Sequence, residues 1–158
     1  MHELTVHDDA EEDIEALGWE TGGAVLALLE ALRENQALLG RLLEHRAELE
    51  VESAMPAAGP REQRTGGASD DPRGAAVIEV EKWQAQWRQG RDLWRLKVIA
   101  PPGHIHEIRV IYAYKQRTHP LGHVVHEYTV LAVVTRGDDT YELGTPLSER
   151  IEKAYEEL

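Results

Sequence analysis

Apolar positions recur along this chain in two periods. In "TGGAVLALLEALRENQALLGRLLEHRAEL", Val25, Leu28, Leu29 and Leu32 fall at i, i+3, i+4 and i+7, and Leu39, Leu42 and Leu43 continue the stripe. That spacing predicts an amphipathic helix feeding a core, with the polar "RENQ" as a kink or break. Ahead of it, "HELTVHDDAEEDIEAL" alternates at Leu4 and Val6 and then turns acidic. A short strand followed by a helix is expected there. Asp8 or Asp9 would cap the helix, Ile14 and Leu17 would face inward, and Gly18 would end it.

The second half alternates at period two. "LWRLKVI" places Trp94, Leu96 and Val98 on one face and Arg95 and Lys97 on the other. "EIRVIYAY" places Ile108, Val110, Tyr112 and Tyr114 on one face and Arg109 opposite. "YTVLAVVT" is apolar on both faces, as a central strand is. "APPGHIH" reads as a hairpin loop and "KQRTHPLGHVVH" as a longer, looser connection. The closing "TPLSERIEKAYEEL" is a helix capped by Thr145 or Ser148, with Pro146 in its first turn. Its expected buried stripe is Leu147, Ile151, Tyr155 and Leu158.

Between the halves, residues 52–75 hold three prolines and no apolar period, which predicts a flexible insertion. Neither flank makes a complete core, so the insertion interrupts one domain, 1–158, and does not separate two. Trp83 and Trp87 lie four apart, as on one side of a helical turn. Beside Arg88 and Arg91 they suit either RNA-base stacking or core packing. The expected class is α+β: a two-layer, mostly antiparallel sheet with N-terminal helices and a C-terminal helix packed on it.

Composition narrows the chemistry. The 158 residues contain no cysteine, which excludes disulfides and thiolate metal sites and points to a reducing cytoplasm. There is no phenylalanine, so the four tryptophans are expected to supply most of the large aromatic volume. No apolar run has membrane-spanning length, and "MHELTVHDD" lacks the regions of a signal peptide, so no membrane partner is expected. The net charge is −12, yet residues 82–118 carry eight basic residues against two acidic ones. Acidity repels nucleic acid at long range, but a local basic face can bind a phosphate. The competing reading is a strand edge whose Lys and Arg block aggregation.

The order of elements, with "HELTVHDDAEEDIEAL" and "LWRLKV…IRVIYAY…YTVLAVVTRGDDTY", resembles the RelE/ParE superfamily of toxins from bacterial toxin–antitoxin systems. The resemblance covers about 120 of the 158 residues and leaves out the insertion. It implies a RelE-like branch member, an mRNA interferase that enters the ribosome and cleaves mRNA. The attacking group is the RNA's own 2′-hydroxyl, so this endoribonuclease needs no metal and no cofactor. Its implied partners are a cognate antitoxin, the ribosome and mRNA. By resemblance, Arg95 and Lys97 match a basic pair that binds phosphate or moves protons. Arg109 matches the arginine that stabilises the transition-state phosphate. Arg136 matches an arginine in the loop after the third strand, and Tyr141 the aromatic beyond it, which stacks a base or shuttles a proton. The chain departs from the pattern in being longer and acidic.

Two rivals remain. A ParE-like member of the same superfamily inhibits DNA gyrase by contact, without catalysis, and a toxin-fold protein can also be inactive. Separately, "HIH" (His104, His106) and "HPLGHVVH" (His119, His123, His126) offer imidazoles for a metal, or are solvent-exposed loop histidines. His123 or His126 is also a candidate proton-transfer group near the basic face.

Overall fold

A computed structural model describes residues 1–52, 75–100, 108–135 and 142–158. The first strand, β1 (His2–Val6), leads into α1 (Asp8–Ala16), α2 (Gly18–Glu34) and α3 (Gln36–Arg41). Then come β2 (Glu48–Glu52), β3 (Ala75–Lys82), the single turn α4 (Gln84–Arg88), β4 (Leu93–Ala100), β5 (Ile108–Thr118), β6 (Val124–Thr135) and α5 (Pro146–Glu156). The strands form one six-stranded sheet in the order β1-β6-β5-β4-β3-β2. Among the described strands only the β1–β6 pair is parallel. The α+β class is as expected. Among the described residues no helix is long and apolar enough to cross a membrane.

The helices divide between the two faces of the sheet. One face carries Leu49, Ile78, Val80, Trp94, Leu96, Val110, Tyr112, Tyr128 and Val130, packed against Ile14, Val25, Leu28, Leu29, Leu32 and Leu39 from α1–α3. The opposite face carries Leu93, Ile111, Ala113 and Ala132, packed against Trp83 and against Ile151 and Ala154 of α5. β4, β5 and β6 send residues to both cores, whereas β2 and β3 bury apolar residues on the first face and carry glutamates on the other, so a shift of one residue would exchange the faces. Burial of this kind contributes about 25 cal/mol per Å² of apolar surface and is the main favourable term in folding.

Local chemistry explains the helix boundaries. α1 begins after His7, whose Nδ1 accepts from the Asp9 amide at 3.2 Å; Asp8 and Asp9 are first-turn residues, not the cap. Gly18 adopts φ +82°, which lets the chain reverse between α1 and α2. A Cβ on Gly22 would lie 2.6 Å from the Ile14 carbonyl oxygen, so only glycine lets α2 approach α1 there. The "RENQ" segment is a full break: Asn35 leaves the helical region and its side chain accepts from the Leu38 amide to cap α3. Thr145 caps α5 by accepting from the Ser148 amide, with Pro146 beside it.

Several elements differ from the sequence reading. The expected helix ran to Leu49, but α3 ends at Arg41 and the chain enters β2 at Glu48, where Leu49 and Val51 alternate with three glutamates. It pairs with β3, so the 52–75 insertion interrupts a hairpin in which Glu52 and Ala75 are direct partners. The 53–74 segment lies outside the described residues. The β5–β6 connection is short, because the ladder continues to Thr118↔Val124. Trp83 precedes α4 and is buried, whereas Trp87 is 53% exposed. Trp19 is also exposed, and Tyr112 and Tyr128 are fully buried, so tyrosine shares the aromatic role given to tryptophan. In α5, Ala154 replaces Leu158 in the buried stripe, and Leu158 faces solvent.

Both sheet edges are guarded. The Gln36 side-chain amide brackets His2 of β1, accepting from its N–H and donating to its C=O, each at 2.8 Å. Arg33 Nε donates to the Leu4 carbonyl at 3.2 Å. β2 presents Glu48, Glu50 and Glu52 to solvent, a row of like charge that disfavours pairing with another chain.

Candidate functional site

The β3–β5 register assembles two charged rows. Glu79 is the cross-strand partner of Lys97, and Lys97 is the partner of Arg109. One step along, Glu81 is the partner of Arg95. Direct partners in an antiparallel sheet share a face, so Arg95, Lys97 and Arg109 lie on one face with Glu79 and Glu81. It is the face of α5, and the rows adjoin its apolar half, since Ile111 partners Arg95.

These side chains form a half-buried ion-pair network. Arg95 Nη2 lies 2.6 Å from Glu81 Oε2, and both side chains are 19% exposed. Lys97 Nζ is 3.2 Å from Glu81 Oε2 and donates to Glu79 Oε1 at 3.3 Å. Burial pushes the Glu81 carboxyl up, but Arg95 and then Lys97 outweigh it and hold it below its ordinary range. Arg109 Nη1 donates to the Ile108 carbonyl at 3.2 Å. Arg136 and Tyr141, the other two expected site residues, lie outside the described residues.

The glutamates were missed because they sit just ahead of the basic stretch that begins at Lys82. The signal was present. "IEVEK" alternates apolar and acidic positions, and "WRLKV" alternates apolar and basic ones. Two such strands paired antiparallel bury their apolar positions together and bring the opposite charges face to face.

The fold also dissolves most of the charge segregation seen along the chain. Arg91 reaches Glu156 of α5 at 3.4 Å. Arg117 pairs with Glu127 of β6 and with Glu3 of β1. The Lys82 ammonium lies 4.6 Å and 5.0 Å from the ring centroids of Trp87 and Trp94, with Asp92 3.7 Å away. The tryptophan pair therefore splits: Trp83 packs in the core, and Trp87 covers a lysine.

The histidines divide in the same way. His126 is on β6 at the opposite end from Val134, the partner of Arg109, about 26 Å away along the strand. It points to the other face, where its Nδ1 bonds the Tyr114 hydroxyl at 2.7 Å and its ring stacks on His2 at 4.7 Å. His123 stacks on His119 at 4.3 Å in the β5–β6 turn. Neither serves the charged rows. His104 and His106 lie outside the described residues, and among the described residues no group of three or more candidate metal ligands occurs.

A cavity of about 500 Å³ opens at the end of β6, lined by Asp13, Leu17, Val134, Leu147 and Arg150 among others. Asp13 accepts two bonds from Arg150, at 2.8 Å and 2.7 Å, and one from the Val133 amide at 3.0 Å. Beyond Val130, where β1 ends its pairing, the Asp13 carboxylate thus takes over the edge of β6.

Chemically, the charged rows provide cations for a phosphate and carboxylates that can accept a proton, within one face. Comparison of the chain with protein-family models, curated proteins and solved structures finds no match.

Proposed function

We propose that the protein is a RelE-like toxin, an endoribonuclease that cleaves mRNA on the ribosome in the cytoplasm and is held in check by an antitoxin. The observation that supports this reading is the cross-strand adjacency of Lys97 and Arg109, with Arg95 in the next row and Glu79 and Glu81 alongside. In this reading an RNA phosphate enters the row and competes with the carboxylates for Lys97 and Arg95. A glutamate released from its ion pair takes the proton of the RNA 2′-hydroxyl, whose oxygen attacks the adjacent phosphorus; the bond from phosphorus to the 5′-oxygen breaks, leaving a 2′,3′-cyclic phosphate, and the departing 5′-oxygen takes a proton from Lys97. Arg109 stabilises the charge that builds on the phosphoryl oxygens.

The test is mRNA 5′-end mapping in cells expressing the wild-type chain or Arg109→Ala. Wild type produces new ends within translated regions. Arg109→Ala loses roughly 10² to 10³ in rate, as for removal of one preorganised charge-stabilising contact. Absence of new ends from wild type would end the nuclease reading.

A second reading has its own support. Arg95 and Lys97 already have carboxylate partners within 3.3 Å, so the cations are compensated without any phosphate. A toxin-fold protein without catalytic activity fits that state, and it predicts no new mRNA ends from either chain.

A further inference from the structure

α2 carries an apolar surface beyond the one it buries. Val25, Leu28, Leu29 and Leu32 face the core. Away from that stripe, Trp19 is 82% exposed and Leu26 is 53% exposed. Seven residues apart, they share one helical row and lie about 10 Å apart along the axis. Gly23 falls between them in the row and has no side chain, and we call the row Trp19–Gly23–Leu26 the notch. Isolated exposed leucines are ordinary; an exposed indole in one row with an exposed leucine is, among the described residues, an apolar patch.

The charge around the notch selects its occupant. Residues 1–34 contain ten acidic residues and one arginine. That arginine, Arg33, is held by Glu30 and by the Leu4 carbonyl. Glu15, Glu20 and Glu30, on α1 and α2, are exposed. A helix that lies on a lipid surface carries Lys and Arg on its polar face, the reverse of this one. Nucleic acid is repelled. A second copy docking through the same patch would set two acidic surfaces face to face. The chain's own 53–74 segment has three arginines and three acidic residues and so offers no net positive charge.

We propose that the Trp19–Leu26 notch docks a cationic amphipathic segment of another protein. Its apolar anchor enters over Gly23, and its Lys and Arg side chains pair with Glu15, Glu20 and Glu30. This surface is independent of the charged rows on β3–β5.

The experiment is calorimetric titration of the full chain with three synthetic peptides: Lys/Leu patterned at helical spacing, the same composition scrambled, and the Glu/Leu counterpart. The patterned cationic peptide binds, the scrambled one binds far more weakly and the acidic one does not bind. Trp19→Ala, whose melting temperature should match wild type because the indole is exposed, weakens binding about tenfold or more. Glu15→Gln with Glu20→Gln flattens the salt dependence. Equal affinity of Trp19→Ala, or of the scrambled peptide, would overturn the proposal by reducing the effect to net charge. Trp19-dependent self-association in sedimentation would overturn it in favour of a second copy.

Discussion

Arg95 and Glu81 are direct cross-strand partners on β4 and β3, and their charged atoms meet at 2.6 Å. Lys97 shares the same carboxylate oxygen at 3.2 Å. Removing the carboxylate leaves two half-buried cations without it. Glu81→Gln should therefore cost roughly 1–3 kcal/mol, between the values for exposed and for buried pairs. Urea denaturation measures that cost. In Glu79→Gln/Glu81→Gln, Arg95 and Lys97 lose these two carboxylates and should bind single-stranded oligouridylate more tightly. Each additional phosphate contact should steepen the slope of log K against log salt by about 0.7. If the glutamates supply the base, cleavage should fall while binding rises. Unchanged RNA affinity would show that the rows do not receive a phosphate.

The same pair has a pH signature. Because the folded-state carboxyl of Glu81 is held below its ordinary 4.5, the unfolded chain binds its proton first as pH falls. The stabilisation is present above that value and lost as pH drops through the lower folded one. The denaturation midpoint of wild type should fall between pH 5 and pH 3 by more than that of Glu81→Gln, a difference read from urea titrations at each pH.

Asp13 joins α1, β6 and α5 through one carboxylate. Asp13→Ala removes both bonds from Arg150 and the acceptor of the Val133 amide. A loss of about 2–4 kcal/mol is expected. Arg150→Lys should cost less than Asp13→Ala, because charge persists while the bidentate geometry does not. Equilibrium unfolding of the two variants checks the order.

His2 stacks on His126 at 4.7 Å, and its Nδ1 lies 3.2 Å from the Tyr128 hydroxyl. Burial, then His126, then the N-terminal ammonium lower its pKa from 6.5. The unfolded chain consequently takes up this proton at higher pH than the folded one, so folded stability decreases as pH falls below about 6.5. Urea midpoints at pH 7.5 and pH 5.5 should differ in that direction for wild type, and the difference should shrink in His2→Gln. An equal difference in both chains would remove His2 as its source.

Glu52 and Ala75 are cross-strand partners, so the β2–β3 ladder closes on both sides of residues 53–74. Replacing those residues with a two-residue Asn-Gly turn should leave stability unchanged or raise it by about 1–2 kcal/mol, since loop-closure entropy grows slowly with length. A large fall in melting temperature would show that the excised residues pack against the sheet.

The sequence by itself determined the elements whose own period forces one face inward. Val25, Leu28, Leu29 and Leu32 are buried as their helical spacing requires. Trp94, Leu96 and Val98 face one core, and Arg95 and Lys97 the other side, as alternation requires. Breaks with chemical markers, Asn35 and Thr145, were legible for the same reason: a side chain that satisfies a helix N-terminus does so locally.

Only the tertiary structure decided what depends on pairing between distant segments. "ELEVE" has the alternation of a strand but follows directly on a helical run, and its place as β2 rests on β3, which offers Leu49 and Val51 a shared core. The basic stretch looked uncompensated because its counter-charges are distant in sequence: Glu3 for Arg117, Glu156 for Arg91. Glu79 and Glu81 are close in sequence, yet their role appeared only when the β3–β4 register set them against Lys97 and Arg95. Alternation within a strand fixes which face each charge takes, but which charges become partners depends on how two strands and their connection align, and neither strand's own pattern contains that.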